Sequence, residues 1–367
     1  LWMRQHLPNI YNRAHLFVSC PEFIAGRLSG EWTTCLPNQG YTRIIWDTKA
    51  LEMLRLDIEK FPRFVGVGEI VGYIHDHAAR EFGLPNGLPV VMGGPDFIAS
   101  LLGTATVKPG RTCDKAGTSE GINLCSERDI GDEEALLVMP HIIPPYFNIS
   151  GVISSSGIAL SWFKSRFLPQ EDFETVYARI ASAEPGAEGL VFLPYLAGER
   201  SPHWDPNARA VFLGLGLNHD LSTMARAVLE GTAFAIREVL DVMESRGATV
   251  HDMRATGTPS LSPIWNQIKA DITGKQLMVS SFPEPELAGC LAIGRFALGE
   301  ESTLAEAAEK VFMPAEIFEP RKETESMYCE LYEVYLDSYR RLADLFPTIS
   351  VLQRNNGVQR GRFGTGF

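Results

Sequence analysis

LPVVMGGPDFIASLLGTATVKPGRTCDKAGTSEG, residues 88–121, is the stretch from which the fold can be read. Val90-Val91 is a short β-branched run ended by Gly93-Gly94, and Pro95 opens a helical pattern, Asp96 to Leu102, that stops at Gly103. Proline at the first helical position and glycine past the last are the expected punctuation. Asp96 is therefore expected in the first turn of a helix, at the C-terminal end of a strand. Further along, Asp114 to Ser119 places small and hydroxyl residues in a tight turn, whose backbone N–H groups suit a phosphate. A carboxylate and a phosphate turn this close in sequence point to phosphoryl transfer. The same residues also fit a plainer reading, with Asp96 as a helix-dipole partner and Gly117-Thr118-Ser119 as an ordinary hairpin.

Downstream, Arg111 to Leu124 alternates as two strands around that turn. Tyr146 to Ile153 reads as a strand, and Ser154-Ser155-Ser156-Gly157 leads into a helix through Phe167. Val191 to Leu196 is a buried strand feeding the loop Gly198 to Asn207, too rich in charge, aromatics and proline for a linker. Asp220 caps a helix running to Arg246. Gly231 in its middle costs about 1 kcal/mol against alanine, so another backbone is expected to pack there. Met253 to Thr256 is a strand, Gly257 to Ser260 a loop, and Ser262-Pro263 the start of a helix that ends at Gly274. A strand, Gln276 to Ser281, and a helix, Pro285 to Leu298, complete a βαβ-type arrangement. Arg321 to Leu345 is a long helix, and residues 346–367 read as a disordered tail.

Upstream, Leu1 to Ala14 and Pro21 to Leu28 read as helices, and Ala50 to Lys60 as an amphipathic one with Leu51, Leu54 and Ile58 on one face. Gly66, Gly68 and Gly72 lack the spacing of a dinucleotide fingerprint. His75-Asp76-His77 has no third ligand nearby, so Asp76 is read as a helix cap and no metal site is expected.

Composition narrows the class. At 367 residues, 45% hydrophobic and 21% charged, the chain can form two domains with full cores. A net charge of −12 leaves no basic stripe for nucleic acid. No apolar run approaches membrane-spanning length. Six cysteines without a CxxC pair fit reduced thiols and a cytoplasmic location, with Cys113 and Cys125 as cross-strand neighbours.

Taken in order, these blocks resemble the FGGY family of carbohydrate kinases, of the actin-like ATPase superfamily, from the N-terminus to about Leu345. Gly93-Gly94-Pro95-Asp96 resembles the segment that carries the family's catalytic base. Ala116-Gly117-Thr118-Ser119 resembles its second phosphate loop, and Gly157 to Trp162, with Ser161, the helix start beside the nucleotide. Leu193 to Pro206 resembles the second family signature, and Thr256 to Gln267 the adenosine motif, with Gly257, Thr258 and Ser262 at its border. The resemblance implies an α/β, actin-like ATPase (ribonuclease H-like) fold. Residues 1–108 would form the rear of the sugar-binding domain and 109–345 a complete nucleotide-binding domain. It also implies ATP and Mg²⁺ as cofactors and a small-molecule sugar as substrate, a pentulose such as xylulose or a related polyol.

Two departures stand out. Thr258 occupies the second position of a usual Gly-Gly pair; a β-branched residue disfavours positive φ and adds bulk where adenine would lie. Nothing before Gly93 matches the family's Asp-x-Gly-Thr phosphate loop, so the first domain reads as truncated. The expectation is a chain inactive or impaired on its own, with open strand edges that favour self-association or a homodimer. A degenerate, non-catalytic remnant that binds nucleotide or a partner is the rival reading. A serine hydrolase using Ser119 is a further one, because Gly117 to Gly121 fits Gly-x-Ser-x-Gly; that elbow requires a helix straight after the serine, whereas Ile122-Asn123-Leu124 alternates.

Overall fold

The computed structural model describes residues 1–43, 45–131, 134–282 and 284–355. The chain divides into two units, one of residues 1–109, 139–148 and 284–313, the other of 110–138, 149–283 and 314 onward. The sequence reading placed one break, at 108/109. The structure returns two later segments to the first unit, because the helix Pro285–Ala297 packs on the helix Asp96–Gly103.

In the first unit, Thr33–Cys35 pairs in parallel with Arg63–Val65, and Ile70–Tyr73 pairs antiparallel with Pro89–Val91. Their inward residues, among them Val65, Val71 and Val90, join Ile98 and Leu102 in one core. The helix Cys20–Ser29 starts at a Ser19/Glu22 capping box and stops at Gly30, whose φ is 81°. Two local expectations are corrected here. Ala50 to Lys60 is not one helix: Thr48–Met53, capped by Asp47, breaks at Arg55 (φ 52°) and gives way to a 3₁₀ turn, Ile58–Lys60. Of the proposed apolar face only Leu51 is buried. The helix Asp76–Phe82 is capped by His75, whose Nδ1 accepts the Ala78 N–H at 3.2 Å, while Asp76 accepts from the Asn86 amide.

The second unit is built on a seven-stranded sheet in the order Pro314–Phe318, Gln276–Ser280, Asp252–Thr256, Arg111–Ala116, Glu120–Ser126, Phe147–Ile153, Leu137–Pro140. Asp252–Thr256 runs parallel to both of its neighbours, and Arg111–Ala116 returns antiparallel through Glu120–Ser126. In that register Cys113 faces Asn123 rather than Cys125, and all six cysteines are free thiols. The helix Leu221–Ser245 starts at the Asp220 carboxylate, which accepts the N–H groups of Ser222 and Thr223 at 2.9 Å. Its Gly231 is pressed onto the strand Val191–Leu193: a Cβ there would lie 2.1 Å from the Phe192 carbonyl oxygen. After the helix Lys322–Leu342 the chain does not fray as expected. Phe346–Asn355 is helical, and Phe346 is buried beside Tyr339. Residues 356–367 of the expected tail lie outside the described residues. No helix among the described residues is long and apolar enough to cross a membrane.

Candidate active site

Asp96 opens its helix after the N-cap Pro95, and Gly94, whose φ is 80°, makes the turn out of the preceding strand. The side chain is exposed, and the helix beneath it is fixed tightly within the first unit. A Cβ at Gly103 would lie 1.8 Å from the Pro285 carbonyl oxygen, and one at Gly289 1.9 Å from that of Ala99. Two helices touch backbone to backbone at these glycines. The Ser100 hydroxyl lies 2.9 Å from Glu286 Oε1 and 3.1 Å from the Asp96 carbonyl oxygen.

In the second unit a cavity of about 780 Å³ is walled by four segments. Gly117 and Thr118 come from the hairpin turn, and Gly157, Ile158, Leu160 and Ser161 from the start of the helix Gly157–Phe167. Phe173, Glu174 and Tyr177 come from the helix Phe173–Ser182. The fourth wall runs from Thr258 through Trp265, with Pro259, Leu261 and Ile264. Most of these side chains are apolar or aromatic, with polar ones, Thr118, Ser161, Glu174, Thr258 and Ser262, on each of the four segments. Six sequence-predicted residues are thus brought together: Gly117, Thr118, Gly157, Ser161, Thr258 and Ser262. Ser119 and Gly257 stand next to lining residues without lining the cavity, and Asp96 belongs to the other unit.

Several of these residues also have structural duties. Gly117 and Thr118 carbonyls accept the N–H groups of Gly157 (3.0 Å), Ser156 (3.2 Å) and Ile158 (3.3 Å), so the hairpin caps the helix start. Gly157 is required there, since a Cβ would lie 2.5 Å from Gly117 O. Ser161 donates its hydroxyl to Gly157 O at 2.9 Å. Ser262 caps the helix Pro263–Thr273 by accepting the Trp265 N–H. Thr258 opens the 3₁₀ turn Thr258–Leu261 and is not among the residues with positive φ, so the expected backbone conflict does not arise. The hydrolase reading fails on geometry: Ser119 is followed by the strand Glu120–Ser126, not by a helix.

Two features escaped the sequence reading. The helix Phe173–Ser182 was signalled by Asp172, which caps it, and by Val176 and Ile180 one turn apart. The second feature is Lys269, fully buried with Asp114 and Glu120. Its Nζ lies 2.8 Å from Asp114 Oδ2 and pairs with Glu120, which also accepts the Ser156 hydroxyl. Burial and the neighbouring Glu120 push Asp114 well above the usual carboxylate range. Lys269 holds Glu120 below it against the cost of burial.

The loop Gly198 to Asn207 is likewise anchored, not a linker. Glu199 Oε1 accepts the N–H groups of Ser154 (2.6 Å) and Arg200 (2.7 Å), and burial raises the carboxyl to about 7. His203 stacks on Tyr339 at 3.7 Å and meets Glu238 at 3.1 Å. Among the described residues no group of three or more His, Cys, Asp or Glu could hold a metal ion, His75-Asp76-His77 included.

The N-terminal domain model of the FGGY family of carbohydrate kinases matches residues 1–103, and the C-terminal domain model matches residues 115–298. A xylulose kinase of Staphylococcus epidermidis is 29% identical over 357 residues, covering 94% of this chain and 71% of that protein. A gluconokinase of Bacillus subtilis is 26% identical over 370 residues, covering 96% and 72%. The crystal structure of ligand-bound xylulose kinase from Lactobacillus acidophilus superposes with a TM-score of 0.84 at 22% identity, over 95% of this chain and 72% of that one.

Proposed function

The chain belongs to the FGGY family of carbohydrate kinases, phosphotransferases of actin-like α/β fold, and on that premise we propose how its residues serve ATP-dependent phosphorylation of a sugar. The acceptor in this reading is a pentulose of the xylulose type or a related polyol, and the nucleotide occupies the 780 Å³ cavity. One observation carries it: three separate family-like segments, at 117–118, 157–161 and 258–265, converge on one apolar slot with a backbone turn at its end.

Within that slot Leu261, Ile264, Trp265 and Tyr177 offer the flat apolar surface a purine needs, and Gly257, Thr258 and Ser262 border the adenosine. Gly157 and Ser161 line the opposite side. The turn Gly117-Thr118-Ser119 faces the phosphates. Its Gly117 N–H is bonded to Ser119 O at 2.9 Å, which leaves the Thr118 and Ser119 N–H groups as donors. Asp96 accepts the proton of the sugar hydroxyl as that oxygen bonds to the γ-phosphorus and the bond to the leaving ADP oxygen breaks. Phosphoryl transfer rests on positioning and charge stabilisation, of which this chain's base and oriented N–H donors supply a part. Mg²⁺ carried on the nucleotide phosphates would neutralise their charge in this reading.

The rival reading is a protein that binds nucleotide without turnover. The two are separated by assaying ADP release with xylulose, gluconate and glycerol, on this chain and on one carrying an Asp-x-Gly-Thr loop ahead of residue 1. Turnover by the extended chain alone supports the kinase reading and shows that catalysis needs that loop. No turnover by either, with calorimetric binding of a non-hydrolysable ATP analogue intact, supports the rival. Failure to bind the analogue sinks both. Self-association through the edges of the two-stranded pairs in the first unit is part of the same reading and is checked by light scattering.

A further inference from the structure

Lys269 sits in the helix Pro263–Thr273 with its side chain fully buried, one turn after Trp265, a wall of the cavity. Its two acidic partners stand on the two strands of the hairpin. Glu120 directly follows the turn and faces Ala116 across the ladder; Asp114 lies two residues before Ala116 and faces Ile122. Ser156, bonded to Glu120, directly precedes Gly157. One ammonium therefore joins three of the four segments that wall the cavity, and neither Lys269 nor either acid lines it.

Two acids at the base of a turn that faces phosphates would repel the ligand the turn receives. The cluster avoids this. Glu120 is held ionised by Lys269, while Asp114, with Oδ1 lacking any hydrogen-bond partner, is driven toward its neutral form by burial. The Lys269 ammonium, placed between the two carboxyl groups, offsets their charge at the base of the turn.

We propose that Lys269 is a positioning residue for phosphate binding, the built-in counter-charge that lets the 117–119 turn stand on two acids without repelling a polyphosphate. The proposal rests on the reading of the cavity as a nucleotide site. A lysine that only braced the fold would, when removed, weaken every ligand alike. A counter-charge acts in proportion to ligand charge.

Calorimetric titration with adenosine, ADP and a non-hydrolysable ATP analogue distinguishes these, on the wild-type chain, Lys269→Met and Lys269→Met/Glu120→Gln. Lys269→Met should leave adenosine affinity within about twofold, weaken ADP, and weaken the ATP analogue by about tenfold or more. Adding Glu120→Gln, which removes the unbalanced charge, should restore the analogue to within about threefold of wild type. Equal loss of all three ligands, no loss of any, or no restoration in the double variant overturns the proposal. If Lys269→Met does not fold, the double variant decides alone: analogue affinity within threefold supports the counter-charge, and a larger loss overturns it. A wild-type chain that binds none of the three overturns the nucleotide reading itself, and the proposal with it.

Discussion

Gly257 lies so close to Ala116 that a side-chain carbon at position 257 would sit 1.9 Å from the Ala116 carbonyl oxygen, and its φ is 84°. Gly157 stands in the same relation to Gly117, at 2.5 Å. Gly257 and Gly157 are therefore needed first for the close approach of their segments to the hairpin. They let the hairpin, the helix start and the 257–262 loop close up backbone to backbone, and the cavity is what remains between them.

Gly257→Ala tests this directly. Positive φ costs a non-glycine residue about 1–3 kcal/mol, and overlap with a main-chain oxygen adds a penalty of similar size. The expected loss is about 3 kcal/mol or more of unfolding free energy, read as a lowered urea midpoint, with nucleotide binding abolished in whatever remains folded. An unshifted midpoint would show that the loop can retreat from the hairpin.

At the neighbouring position the expectation is reversed. Thr258 has ordinary φ at the start of its 3₁₀ turn, so glycine there relieves nothing and adds freedom to the unfolded chain. Thr258→Gly should cost up to about 1 kcal/mol of stability and leave the affinity for an ATP analogue within about threefold. Tenfold tighter binding would mean that the threonine side chain does crowd the adenosine.

These two positions mark what sequence alone could show. Features carried by local chemistry were legible: Asp220 and Ser262 as caps, Gly274 as a stop, Gly231 as a point of close packing, and the strand–turn–strand around Gly117. Features that depend on distant partners were not. Lys269 meets Asp114 and Glu120 across 155 and 149 residues, and nothing near it in sequence announces them. The helix Phe346–Asn355 is secured by burial of Phe346 rather than by periodicity. At residues 50–60 an apolar stripe was present, but Arg55 turns the chain before the stripe can be used.

Glu199 predicts a pH dependence. Burial raises its carboxyl from 4.5 to about 7, above the value in the unfolded chain, so folding favours the protonated form. Its contribution is fully present below about pH 4.5 and is lost as pH rises through about 7, on the order of 3 kcal/mol across that window. Glu199→Gln removes the titration. The stability of this variant relative to wild type should therefore rise between pH 5 and pH 8 in urea unfolding; a difference that stays flat would show that Glu199 is ionised in the folded chain throughout.

Asp96 and Gly289 together separate chemistry from architecture in the first unit. Asp96 is exposed in the first turn of its helix, where a carboxylate contributes about 0.3–1 kcal/mol through the helix dipole. Asp96→Asn removes that contribution and keeps the side-chain shape, so the variant should fold. An amide cannot take up the sugar proton, and loss of a general base costs about 10²–10⁴-fold in rate. In a chain that carries an Asp-x-Gly-Thr loop ahead of residue 1, sugar-dependent ADP release by Asp96→Asn should fall by that factor in protein that remains folded. Gly289→Ala should do the opposite first. Its new carbon would enter the Ala99 carbonyl at 1.9 Å and prise the Asp96 helix from its partner, costing about 1–3 kcal/mol. Activity then falls with the folded fraction. Turnover near wild type in a folded Asp96→Asn variant would remove Asp96 from the chemistry, whatever Gly289→Ala does.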